Sequence, residues 1–195
     1  MLYKTHLFFS KITYDNMLCE NRVKINKLGF KYGNIKPDII MNFKDIPHNY
    51  FSSAEYINSE INALIEKTIC MKDLHSNDFA VNLGVINHYI ADFFCMPHNK
   101  NLVNKSIVSH FIYERKLDTI CKKIKIYKLK KYLNSNTLTL NPKDNISEVL
   151  HLIYHSYKQK KFSATNDIFY AIYTCIIVNN YIVKACLSKI KFKAA

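Results

Sequence analysis

Three glycines and four prolines in 195 residues leave this chain few positions for tight turns or for close approach of one backbone to another. Sandwiches of short strands, glycine-rich nucleotide folds and collagen-like chains all need many more. Hydrophobic residues make up 49% of the sequence, so a full core can be buried and wholesale disorder is excluded. Mostly helix remains. At this length one domain over residues 1–195 is expected, and the fold class is all-α, a single multi-helix bundle.

Hydrophobic periodicity divides the chain into segments. A first helix is predicted over residues 3–16, and a loop-rich stretch over 21–52. Ser52 and Glu55 form a capping-box pattern that opens a helix over 52–71. Another spans 78–96, where Pro97 stops it. A long helix follows over 104–133, then a polar connector over 134–144. Asn145 and Glu148 repeat the capping pattern before a helix that reaches residue 160. The last helix, 165–190, is apolar nearly all round and reads as a core strut.

Cys19, Cys70, Cys95, Cys121, Cys175 and Cys186 are scattered singly and mostly within apolar runs, as small buried hydrophobes in a reducing compartment would be. The apolar run Leu7-Phe8-Phe9 is too short for a secretory signal and lies between Lys4 and Lys11. No stretch reaches the roughly 18 uninterrupted apolar residues of a transmembrane helix. A soluble, cytoplasmic monomer is expected.

The helix around His88 carries the chemistry. Between Asp78 and Lys100 the one charged side chain is Asp92, on a helix apolar on every side. A buried carboxylate costs several kcal/mol unless it is paired, and no lysine or arginine is local. His88 lies one turn earlier on the same face. A neutral imidazole does not offset the charge, whereas a shared divalent cation would. His98 follows the helix, and His110 with Glu114 makes a second i, i+4 pair. Upstream, Asp38 lies just after Gly33–Pro37, His48 follows Pro47, and His6 is on the first helix. Such nitrogen and oxygen ligands suit zinc. The bland alternative is a set of unrelated core histidines, with Glu114 paired to Arg115 on the surface.

Several words in this chain resemble the zinc-dependent phospholipase C family, whose helical fold is shared with the S1/P1 nucleases. They are Thr5-His6-Leu7, Lys36-Pro37-Asp38-Ile39, His48, His88-Tyr89-Ile90-Ala91-Asp92 through Pro97-His98-Asn99, and His110-Phe111-Ile112-Tyr113-Glu114. The H-x3-D-x5-H word is common to both branches, and the Tyr113-Glu114 pair favours the phospholipase branch. The resemblance implies a bundle of the phospholipase C/P1 nuclease type. It implies one zinc on Asp38, His48, His88 and Asp92, and a second on His98, His110 and Glu114. A third site would use His6 and the bridging Asp92, and in the family it also takes the backbone amine of an N-terminal tryptophan. This chain has no tryptophan, so two zinc ions are expected, with the Met1 amine as the available substitute at the third.

The implied activity is metal-dependent hydrolysis of a phosphoric diester, with Asp38 both ligand and the catalytic group that orients or deprotonates the attacking water. The metals then perform the electrostatic stabilisation, so no separate arginine is needed. The expected substrate is a phospholipid or another phosphodiester. The alternatives are a single-strand nuclease and a non-catalytic, zinc-stabilised module that binds anionic membranes. Choline specificity is not implied, because Ile39 follows Asp38 where choline-specific members place a tyrosine.

A net charge of +13 favours some polyanion, an anionic membrane surface or nucleic acid. Lys122, Lys123, Lys125, Lys128, Lys130 and Lys131 form a basic amphipathic stretch that fits either, or a solvated helix face. Tyr50 and Phe51 could line a pocket. His75 is expected on the surface, and His151 and His155, an i, i+4 pair on a later helix, are read as ordinary helix residues outside the ligand set.

Overall fold

The computed structural model describes residues 1–17, 23–43, 45–99, 107–124 and 138–194. Among them the secondary structure is helical throughout, with no strand: α1 Tyr3–Asn16, α2 Lys27–Gly33, α3 Lys36–Ile39, α4 Tyr50–Lys67, α5 Met71–Leu74, α6 Asn77–Phe93, α7 Ile107–Lys123, α8 Ile146–Lys158 and α9 Ala164–Ala194. The fold is all-α, as the composition predicts.

Polar caps set most of the starts. Asn26, Ser76 and Asn145 cap α2, α6 and α8 by accepting backbone N–H bonds. At α4 the cap is Asn49, which accepts from the Ser52 amide at 3.1 Å, so this helix begins a turn before the predicted Ser52. It stops at Lys67 rather than Met71 because Thr68 is extended and turns its hydroxyl back onto the Leu64 carbonyl at 2.8 Å. Helix α6 ends at Phe93, earlier than predicted, because the chain enters a 3₁₀ turn, Met96–His98, built around Pro97. The stretch predicted as loop over 21–52 contains α2 and α3. The remainder of the helix predicted over 104–133, with Lys125, Lys128, Lys130 and Lys131, lies outside the described residues, as does Cys19.

Helix α6 is the hub. It touches α1, α2, α3, α4, α5 and α9, and from Phe79 to Phe93 every residue except Asn82 is buried. Helix α9 runs alongside and contacts α1, α4, α5, α7 and α8 as well. By length and mean composition α9 is apolar enough to cross a bilayer, although its apolar run is interrupted at Asn179-Asn180; 72% of its most apolar window is buried within the bundle. Cys95, Cys121, Cys175 and Cys186 are buried as expected, whereas Cys70 is exposed at the start of α5.

Two glycines let α2 and α6 meet backbone to backbone. A Cβ on Gly84 would lie 2.8 Å from Gly33 Cα and closer still to the Phe30 carbonyl oxygen. The approach seats Asn34 against α6, where its side-chain oxygen accepts from Asn87 at 2.6 Å. Asn87 in turn accepts from Asn179 of α9 at 2.9 Å, so a chain of amides ties three helices together. Gly84→Ala should therefore cost about 1–3 kcal/mol or more, read as a lowered midpoint in chemical denaturation. A midpoint equal to wild type would contradict this packing.

Candidate metal centre

Six segments bring the predicted ligands to the same end of α6. Helix α1 supplies His6, α3 supplies Asp38, and the loop before α4 supplies His48. Helix α6 supplies His88 and Asp92, the Pro97 turn supplies His98, and α7 supplies His110 and Glu114. The cavity above them has a volume of about 540 Å³, with Asp38, His48, His98, His110 and Glu114 in its wall and His6, His88 and Asp92 buried behind.

Asp92 is at the centre. Its Oδ2 lies 2.7 Å from His48 Nδ1 and 3.4 Å from His88 Nε2, and its Oδ1 lies 3.4 Å from His6 Nε2 and 3.7 Å from His98 Nδ1. His88 Nε2 also stands 3.2 Å from His48 Nδ1 and 3.6 Å from Asp38 Oδ1. A second focus forms where His98 Nε2 and His110 Nε2 come within 3.1 Å of each other, with Glu114 Oε1 at 3.4 and 2.8 Å. All eight residues predicted from the sequence are thus in this one region.

Two further groups reach the site, one expected from the sequence and one not. Met1 is buried, and its ammonium group donates to Asp92 Oδ1 at 2.8 Å and lies 3.3 Å from Glu114 Oε1. The Met1 amine, expected as a substitute at the third site, is thus an ion-pair partner of Asp92, whose neighbours in sequence include no lysine or arginine. The partner is a backbone amine, which a search for lysine and arginine does not see. Cys95, read as a packing residue, has its Sγ within 4.8 Å of ligand atoms of His98 and Glu114.

The protonation pattern follows from burial and charge. Burial disfavours ionisation of Asp92, yet the Met1 ammonium and the surrounding histidines win and hold it well below the usual carboxylate range. Burial likewise opposes the charge on Met1, and Asp92 overrides it, lifting the amine to about 11. Burial pushes His88 well down and His98 down, so both favour the neutral form that ligates metal. It pushes Asp38 up.

The geometry suits a metal for two further reasons. His88 Nδ1 is 2.8 Å from the Asn34 carbonyl and His98 Nδ1 is 2.9 Å from the His48 carbonyl. When each ring donates from Nδ1, its Nε2 lone pair is aimed into the site, the usual arrangement of a metal-binding histidine. His6 is wholly buried against the His88 ring, with centroids 3.9 Å apart, and neither ring nitrogen has a hydrogen-bond partner. A buried imidazole without a partner is costly, and a cation beside Asp92 would satisfy it.

The family model described as zinc dependent phospholipase C matches residues 5–166. The chain belongs to the zinc-dependent phospholipase C family. Searches of curated proteins and of solved structures return no match. The family's zinc dependence agrees with the donor set, and the match spans every predicted ligand.

One more carboxylate supports the family's site from behind. Asp167, fully buried near the start of α9, accepts from the Met96 amide at 3.0 Å, the Tyr113 hydroxyl at 2.7 Å and the Tyr157 hydroxyl at 2.9 Å. Met96 opens the turn that carries His98, and Tyr113 precedes Glu114, so one side chain braces both segments. The sequence signal was present: a lone acid within an apolar helix, the same feature that singled out Asp92.

Burial lifts the Asp167 carboxyl from 3.8 to about 6 despite these donors. Between those pH values the folded chain keeps a proton that the unfolded chain has lost, so this residue's contribution to stability declines as pH rises, by about 3 kcal/mol in all. In metal-free protein, the stability of wild type minus that of Asp167→Asn should fall by that amount from pH 3.5 to 7. A flat or rising difference, measured by denaturation across that range, would contradict the assignment.

Proposed function

We propose that this protein is a zinc-dependent phosphoric-diester hydrolase of the phospholipase C type, with a phospholipid-like substrate. The observation that supports this most is the convergence of Asp38, His48, His88, His98, His110 and Glu114 around the buried Asp92, open to a cavity of 540 Å³. In this reading Asp38, His48, His88 and Asp92 hold one zinc, and His98, His110 and Glu114 hold a second. His6, Asp92 and the Met1 amine form the third site. Bound there, zinc supplies the acidification of a water and an electrostatic clamp on a phosphoryl oxygen.

The chain's own residues do the rest. Asp38 lines the cavity, where its carboxylate is placed to orient an attacking water or accept its proton. Asn34 and the His48 carbonyl fix two imidazoles through their Nδ1 atoms, so ligand directions are set before substrate arrives. Phe111 and Asn49 close the cavity wall and restrict how a phosphodiester enters.

Asp92→Asn and His88→Ala should each lower turnover of a soluble short-chain phospholipid by at least about a hundredfold, with helical circular dichroism retained. Chelation should abolish turnover and added zinc restore it. Turnover unchanged in both variants would remove the proposal. Hydrolysis of single-stranded DNA in preference to any phospholipid would transfer the site to the nuclease reading, and zinc-dependent liposome binding without hydrolysis would favour a non-catalytic module.

A further inference from the structure

We infer that a cavity adjoining the metal pocket is a subsite for a second anionic group on the substrate: a phosphate or carboxylate carried by the headgroup of a phospholipid. This rests on the hydrolase reading and narrows its substrate class.

The cavity has a volume of about 470 Å³ and is walled by the start of α1 and one face of α7. It adjoins the metal pocket, and the two share Phe111 in their walls. Met1 of the first is followed by Leu2 of the second, and Glu114 of the first by Arg115 of the second. On α7, Phe111, Arg115, Asp118 and Lys122 follow the helical repeat and form a single stripe. A headgroup that extends from the scissile phosphate in that direction crosses Phe111 and meets the stripe.

Its charge is positive. Lys4, Arg115 and Lys122 stand against one carboxylate, Asp118, which Lys122 engages at 2.6 Å. Among the described residues neither Lys4 nor Arg115 is ion-paired. The Arg115 guanidinium lies over the Phe111 ring, 5.7 Å from its centroid, at the border between the cavities. A planar guanidinium so placed presents its N–H fork to a carboxylate or phosphate. The same two uncompensated cations repel a quaternary ammonium headgroup. The occupant proposed is a lipid, because Val108 and Ile112, exposed beside Phe111 on α7, extend an apolar surface from the cavity that suits an acyl interface.

The test uses the zinc-loaded full chain and non-cleavable phosphonate analogues of two short-chain lipids, phosphatidylserine and phosphatidylcholine, below their micelle concentrations. Affinities are measured by calorimetry at low ionic strength. Wild type should bind the serine lipid about tenfold more tightly, and Lys4→Glu with Arg115→Glu should abolish or reverse that preference. Arg115→Gln, a milder exposed change, should reduce it. Equal affinities in wild type, or a preference that survives charge reversal, would overturn the subsite. Displacement of the serine lipid by an equal concentration of inorganic phosphate, or tighter binding of a phosphorylated dinucleotide, would overturn the lipid assignment. A charge-dependent preference in a protein that hydrolyses neither parent lipid leaves the subsite standing and removes the hydrolase reading. Hydrolysis of both lipids without any preference does the reverse.

Discussion

One negative charge organises this molecule. Asp92 sits at no measurable exposure in the middle of a helix that six others surround, where an unpaired carboxylate is intolerable. The Met1 ammonium touches one of its oxygens, and imidazoles from α1, α6, the loop before α4 and the Pro97 turn stand around both. Burial keeps His88 and His98 toward their neutral forms, so the rings offer lone pairs and polar contact rather than charge. In the proposed centre a dication joins the Met1 amine at the same carboxylate, which makes the state of the N-terminus and the occupancy of the site interdependent.

Rigidity around that charge comes from polar groups that touch no proposed ligand atom. The close crossing of α2 and α6 at Gly33 and Gly84 seats Asn34, whose carbonyl orients His88. Asn87 and Asn179 extend the link to α9. From the other side Asp167 holds the turn bearing His98 and the helix bearing Glu114. Ligands fixed from both flanks present a preformed site, which is what fast, specific metal chemistry requires.

Much of this was legible in the sequence. The scarcity of glycine and proline sufficed for an all-α fold, and the bounds of α1, Tyr3–Asn16, were read to the residue. Helix α4 was misplaced because Asn49 and Ser52 are both good caps, and only the fold decides between them. His88 and Asp92 stood out by spacing and by the cost of burial, whereas His6, Asp38 and His48 were candidates by residue type and were grouped into sites only through resemblance, since their neighbours in space are distant in sequence. The Met1 amine was expected only as a substitute at the third site, not as an ion-pair partner of Asp92, and Asp167 was not singled out. The amine is backbone, outside a search for lysine and arginine, and Asp167, though a lone acid in an apolar helix, has tyrosine and amide donors that leave no charge signature.

The most direct test is a count of metal in the protein purified without chelator, by elemental analysis, followed by anomalous scattering at the zinc edge. The account predicts at least two zinc ions per chain, with anomalous peaks between Asp92 and the imidazoles of His48 and His88, and between His98, His110 and Glu114. A folded protein that binds no zinc when zinc is supplied, with Asp92 paired to the Met1 ammonium alone, would contradict it.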